Sequence, residues 1–241
     1  MNKLLVAGIL ALVGLGTTSA AYAQRGNHRP VVAVADFQND TGAGWWRGGV
    51  GRELGSMLAN ELSSTGDFRV VEREKLGAVL SEQDLAASGR VRSGTGAATG
   101  ELTGAQYLIM GTVSAYEENT ASTGGGVSFR GISLGGKRSE AYLAVDLRVV
   151  DASTGEVAFS RTVEGRSSGG GVSVGVFRGG FGGSLANERN TPAGKAIRAA
   201  LVEITDFLSC AMVQQSRGCE AEYQEKENRR RDSNRRGLRL D

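Results

Sequence analysis

The sequence predicts a mixed α/β (α+β) fold, with helices packed on one sheet and the sheet interrupted by two glycine-rich stretches. Three observations predict it. Short runs of β-branched and aromatic residues alternate with segments whose apolar residues recur at helical spacing. The 37 glycines, set against only 2 prolines, concentrate in residues 124–136 and 165–183 among β-branched residues, which is neither a collagen pattern nor a plain flexible linker. A capped amphipathic segment closes the folded part.

Residues 31–37 (VVAVADF) have the composition of a buried strand, and 39–42 (NDTG) that of a turn. From 48 to 62, Val50, Leu54, Met57, Leu58 and Leu62 recur at helical spacing, and 65–67 (TGD) end the helix. Residues 68–71 predict a second strand. Leu76, Val79 and Leu80 mark a second helix over about 74–87, stopped by Ser88-Gly89. Small residues over 95–102 predict a third short helix, ahead of a strand over 107–116. Residues 141–150 predict the next strand, 151–155 (DASTG) a turn, and 156–164 the hairpin partner. In the last helix Thr191 is the cap and Pro192 the first helical residue. Its apolar stripe runs through Ile197, Ala200, Leu201, Ile204, Phe207, Leu208 and Ala211.

The N-terminus predicts export. Lys3 precedes an apolar run over 4–16, and Ala21-Tyr22-Ala23 is a small-x-small cleavage pattern. That run is too short for a helix crossing a ~30 Å hydrocarbon core, which disfavours the alternative of an uncleaved anchor. No cysteine lies near the cut, so the mature chain is expected to start at Gln24 without a lipid. The organisation read from the chain is a signal peptide over 1–23, a lead over 24–30, one domain over 31–215 with inserts near 116–146 and 160–190, and a charged tail over 216–241.

Lys and Arg (28) nearly balance Asp and Glu (26), which excludes a nucleic-acid-type polycation, and no nucleic-acid partner is expected. The sole histidine, His28, lies in the lead before any folded element. No catalytic triad, metal-ligand spacing or complete phosphate loop can be drawn, so neither an enzyme nor a cofactor is expected. Cys210 and Cys219 have two readings: a disulfide in an oxidising compartment, or a buried Cys210 beside a free Cys219. The tail also has two. Glu225/Arg229 and Glu227/Arg231 are helical i,i+4 pairs, whereas the density of charge favours a solvated, disordered segment.

Five strings, in order, resemble the curli-secretion-channel family (CsgG/HfaB type). They are AVADFQNDTG (33–42), LANELSSTGDFRVVERE (58–74) with LGAVLSEQDLAASG (76–89), LTGAQYLIMGTVSAY (102–116), LRVVDASTGEV (147–157) and VSVGVFRG (172–179). The resemblance implies an outer-membrane pore subunit with a periplasmic domain, acting as a homo-oligomeric ring. Each copy gives two β-hairpins to one shared β-barrel through which an unfolded secreted client diffuses. The client implied is a subunit of a curli-like or other extracellular fibre, secreted or anchored there. The alternative is a soluble periplasmic accessory protein binding an envelope partner.

The resemblance puts the hairpins in the two glycine-rich inserts. Independently, a two-residue turn at Arg130-Gly131 would pair Phe129 with Ile132 and Val127 with Leu134 on one face. Val172, Val174 and Val176, followed by Phe177, alternate with small polar residues at period two, as membrane strands do. Flexible glycine loops are the competing reading. The resemblance also places a pore constriction after the first strand, at Trp45, Trp46 and Arg47. In an extended segment the two tryptophans would point opposite ways, leaving one exposed for a pore or a subunit interface.

Overall fold

The computed structural model describes residues 29–122, 127–129, 132–134, 137–167 and 191–237. Its centre is a sheet in the order β3 (Arg69–Val70), β1 (Val31–Val34), β4 (Tyr107–Ser122), β7 (Lys137–Asp151), β8 (Val157–Ser167), with β2 (Gln38–Asn39) pairing farther along β4. The first three strands are parallel, and the second half is an antiparallel meander. Two further short strands, β5 (Val127–Phe129) and β6 (Ile132–Leu134), pair with each other.

Helices α1 (Val50–Thr65) and α3 (Pro192–Leu208) cover one face and touch each other, α1 over β1 and β3, α3 over β7 and β8. The core lies between these layers. Val50, Leu54, Leu58 and Leu62 from α1 meet Val32, Ile109 and Val113 from the sheet, and Ile197, Leu201, Ile204 and Leu208 from α3 meet Leu143, Val145, Leu147 and Val163. Alternation sends Met110, Asp146 and Arg148 to the opposite face, where they are exposed. Thr162 on that face donates to Asp146 at 2.7 Å.

Local chemistry sets the ends of these elements. Thr191 Oγ1 accepts from the Gly194 amide at 3.0 Å and Pro192 starts α3, as the sequence predicts. Gly66, at φ +76°, ends α1. Asp151 accepts from the amides of Ser153 and Thr154, and Gly155 (φ +75°) completes the β7–β8 turn. Helix α3 lies close on β8 because residue 165 is glycine. A Cβ there would sit 2.1 Å from the Ala196 carbonyl oxygen.

The structure departs from the sequence reading in one element, leaves a second outside the core and decides between two readings of a third. Residues 95–102 form turns and loop with no helix, since Gly94 and Gly100 take φ of +78° and +86°, outside the helical range. The predicted second helix exists as α2 (Leu76–Ala87), but its apolar residues do not enter the core: Val79, Leu80 and Leu85 are 39–43 % exposed. The tail is ordered as helix α4 (Arg217–Gly237), reached through a π-helical segment, Ser209–Gln214, and a reversal at Gln215 (φ +45°).

Candidate functional site

The loop after β2 is built from side-chain caps. Asn39 Oδ1 accepts from the Thr41 amide and hydroxyl, and Thr41 Oγ1 accepts from the Ala43 amide. Two successive turns follow, closed by Trp46 N–H to the Ala43 carbonyl (3.0 Å) and Val50 N–H to the Arg47 carbonyl (3.1 Å). The segment is therefore turned, and the condition under which the two tryptophans would diverge, an extended backbone, does not hold. In a turn, neighbouring side chains need not alternate, and both rings pack partly buried against the core. Trp45 makes edge-on contacts with Trp46 (centroids 5.6 Å apart) and with Tyr116 of β4 (5.4 Å). Its indole Nε1 is buried with no hydrogen-bond partner among the described residues. Arg47 is exposed at the lip of a cleft of about 520 Å³ shared with Asp36, Gln38, Trp46 and Arg52.

The second feature is a ribbon. Strands β4 and β7 stay in register beyond the last rung that β8 shares, Ala141 with Ser167, through Asn119/Glu140, Thr120/Ser139, Ala121/Arg138 and Ser122/Lys137. Farther along, Val127 pairs with Leu134, Ser128 with Ser133 and Phe129 with Ile132, the register the sequence predicts for this insert. Val172, Val174, Val176 and Phe177 of the second insert lie outside the described residues.

The third feature is the α3–α4 clamp, of which the sequence analysis raised the cysteine pair and the charge pairs but not the packing of Tyr223. Cys210 and Cys219 form a disulfide, with Cα atoms 5.9 Å apart. Beyond it Phe207 stacks edge-on against the buried Tyr223 (5.3 Å), and Glu203 accepts from Lys226 at 2.8 Å. Partners that fall along α3 as they rise along α4 define an antiparallel helical hairpin. The Arg161 guanidinium of β8 sits over both rings, 5.2 Å from Phe207 and 5.0 Å from Tyr223, a cation–π sandwich that ties the hairpin to the sheet. Burial lowers the Arg161 pKa and raises that of Tyr223, the latter helped by Glu203. Farther along α4, hydrogen bonds from Arg230, then Arg231, hold the Glu227 carboxyl down at about 2. A groove of about 840 Å³ separates this half of α4 from the ends of β4, β7 and β8, with Glu117, Tyr142 and Arg166 facing Arg229, Arg230 and Asn234. Burial, then the Glu164 carboxylate, pushes Tyr142 up to about 12. One sequence signal for the clamp existed: the cysteine spacing together with i,i+4 charge pairs starting just beyond it.

Among the described residues no group of His, Cys, Asp and Glu is arranged to hold a metal ion, and no helix is long and apolar enough to cross a membrane. Neither statement bears on a β-barrel.

A sequence model of the curli production assembly/transport component CsgG matches residues 14–238. The curli production assembly/transport components CsgG of Escherichia coli K12 and of Salmonella typhimurium LT2 are each 30 % identical over 158 residues. The match covers 61 % of this chain and 57 % of those relatives, so the chain spans little more than half their length. Among solved structures, protein CT253 of Chlamydia trachomatis superposes with TM-score 0.45 and 15 % identity, covering 78 % of this chain and 99 % of that one. The PelC dodecamer of Paraburkholderia phytofirmans gives 0.36 and 18 %, covering 74 % and 87 %. Lipoprotein GNA1162 of Neisseria meningitidis gives 0.35 and 15 %, covering 61 % and 90 %.

Proposed function

We propose that this chain, which belongs to the curli production assembly/transport component CsgG family, is one subunit of a ring-shaped outer-membrane export pore. Its signal peptide, residues 1–23, directs export, and its α/β domain stands in the periplasm. Its two inserts contribute hairpins to a shared barrel, and an unfolded secreted protein, such as a fibre subunit, diffuses through with no chemistry. The observation that carries this reading is the ribbon. The β4–β7 ladder extends past the last rung shared with β8, and β5 and β6, which follow in sequence, pair in a hairpin register that would set Val127, Phe129, Ile132 and Leu134 on one side. A membrane strand needs ~9–11 residues with one apolar side, and two hairpins per copy fall far short of even an eight-stranded barrel, so many copies must share one. The second hairpin, with Val172, Val174, Val176 and Phe177, completes each copy's share.

The loop at Trp45, Trp46 and Arg47 supplies the narrow point. Its rings brace the loop on Tyr116, and Arg47 and the flanking glycines form its open lip. Electron microscopy of detergent-extracted protein should show rings with a central opening, and planar bilayers should show wide channels. Monomers soluble without detergent would replace this reading with that of a soluble periplasmic accessory protein. Trp45→Ala/Trp46→Ala should raise single-channel conductance in intact rings; unchanged conductance in intact rings removes the loop from the pore.

A further inference from the structure

The arginines of α4 are sorted by face, and the fold delivers the outward set to one defined place. Three observations locate it. The antiparallel clamp carries the second half of α4 back toward the start of α3, which is where the chain returns from the second insert. The groove beside that half is walled by Glu117, Glu140, Arg166 and Ser167, at the roots of both inserts. Arg230 faces the charges of Glu164 and Asp146 on the neighbouring strands.

Arg230 points inward: its side chain is 23 % exposed and paired with Glu227. Arg229 and Arg231 are each 66 % exposed, and Arg235 and Arg236 lie on the open side of the helix. Glu225 and Glu227 partner Arg229 and Arg231, but among the described residues neither Arg235 nor Arg236 forms a salt bridge. A helix dipole alone asks for cations in a last turn anywhere on a surface. Here the helix that carries this turn is clamped to α3 by a disulfide and a buried tyrosine in its first half, and its second half lies along the groove at the insert roots.

We propose that the outward arginines of α4, Arg229, Arg235 and Arg236, bind the anionic phospholipid headgroups of the membrane face from which the inserts rise. This rests on the reading that the inserts enter a membrane. The helix then works as a charged foot that sets the height of the domain beneath the bilayer, while its acidic first half stays engaged with Lys226. A basic residue at an anionic surface strengthens binding roughly fivefold, and the effect fades beyond a Debye length, so salt should weaken it.

The test uses the full mature protein in mild detergent and one probe, phosphatidylglycerol, against phosphatidylcholine, with bound lipid counted by native mass spectrometry. The parent protein should retain phosphatidylglycerol on the order of a hundredfold better than phosphatidylcholine at low salt, about fivefold for each of the three arginines. Arg229→Gln/Arg235→Gln/Arg236→Gln should abolish that preference with helicity and assembly unchanged, and Glu220→Gln should leave it intact. Equal retention of both lipids by the parent, or an unchanged preference in the triple variant, overturns the proposal. So does a triple variant that loses its rings or its client while keeping the lipid preference, because the arginines then meet protein. The two readings fail separately: soluble monomers that still prefer phosphatidylglycerol through these arginines keep the lipid contact and remove the pore.

Discussion

Helices α2 and α3 both carry repeated apolar residues, yet they stand in opposite relation to the core. Helix α3 has a side-chain cap, a proline start and a stripe from Ile197 to Leu208 that lies on β7 and β8 across the bare backbone of Gly165. Helix α2 has no side-chain N-cap bond, buries only Gln83, and turns Val79, Leu80 and Leu85 to solvent, with Leu102 nearby in sequence equally open. The difference teaches that apolar spacing makes a helix but not a core element. A facing surface of matching shape must exist, and the sheet presents one to α3. Helix α2 is left to its own propensity, which for a single short helix in water is marginal.

The comparison breaks most sharply at glycine. Gly165→Val places a side chain against the α3 backbone and should destabilise the protein by about 3 kcal/mol or more, read as a fall in the denaturation midpoint. Gly77→Ala in α2 meets nothing within 4 Å and should do the reverse, adding ~0.4–1 kcal/mol. A loss at both sites would mean that α2 packs as tightly as α3.

A smaller effect separates the clamp from the core. Cys210→Ser/Cys219→Ser removes a short cross-link and should cost ~2–3 kcal/mol, with α4 cut by protease before α3. Simultaneous cleavage of both helices would show that α4 is part of the core and needs no staple.

The smallest effect concerns the outer side of α3, where Asp206 and Glu61 of α1 face each other. Burial, then Glu203, raises the Asp206 pKa, and burial, then Asp206, raises that of Glu61. A carboxyl with a raised folded-state pKa favours folding below its unfolded value and loses that contribution as pH rises through the folded one. Asp206→Asn should therefore raise the melting temperature slightly at pH 7. The gain should vanish as pH falls below the ordinary value of 3.8, where the parent carboxyl is itself neutral. A gain independent of pH would assign the effect to packing.

Much of the domain was legible because its signals were local. Thr191-Pro192, the spacing from Val50 to Leu62 and the turn at Asp151–Gly155 each carry their own geometry. The errors arose where distant contacts decide. Residues 95–102 have helix-compatible composition, but the positive φ at Gly94 and Gly100 breaks the run. The tail has the charge density of a disordered segment, and only the meeting of Tyr223 with Phe207 and Arg161, from elements far apart in sequence, explains its docking. The conformation of the tryptophan loop was left open by the sequence, and the side-chain caps of Asn39 and Thr41 decide it. The register of the first insert followed from placing a two-residue turn at Arg130-Gly131.

Strands β4 and β7 also have a mechanical meaning. Each passes from the buried sheet into the ribbon as one continuous strand, with no linker at the crossing. A hinge would let domain and insert reorient independently; an unbroken two-stranded ladder instead transmits bending from one to the other. The single irregularity in that ladder is the register shift between Val113 and Ala115, one rung from Tyr116 and the tryptophan it holds. A bulge bends and twists the strand that carries it, so the heading of the ribbon is steered there, beside the loop that Trp45 braces. Any tilt of the ribbon about that rung is a tilt of the loop as well.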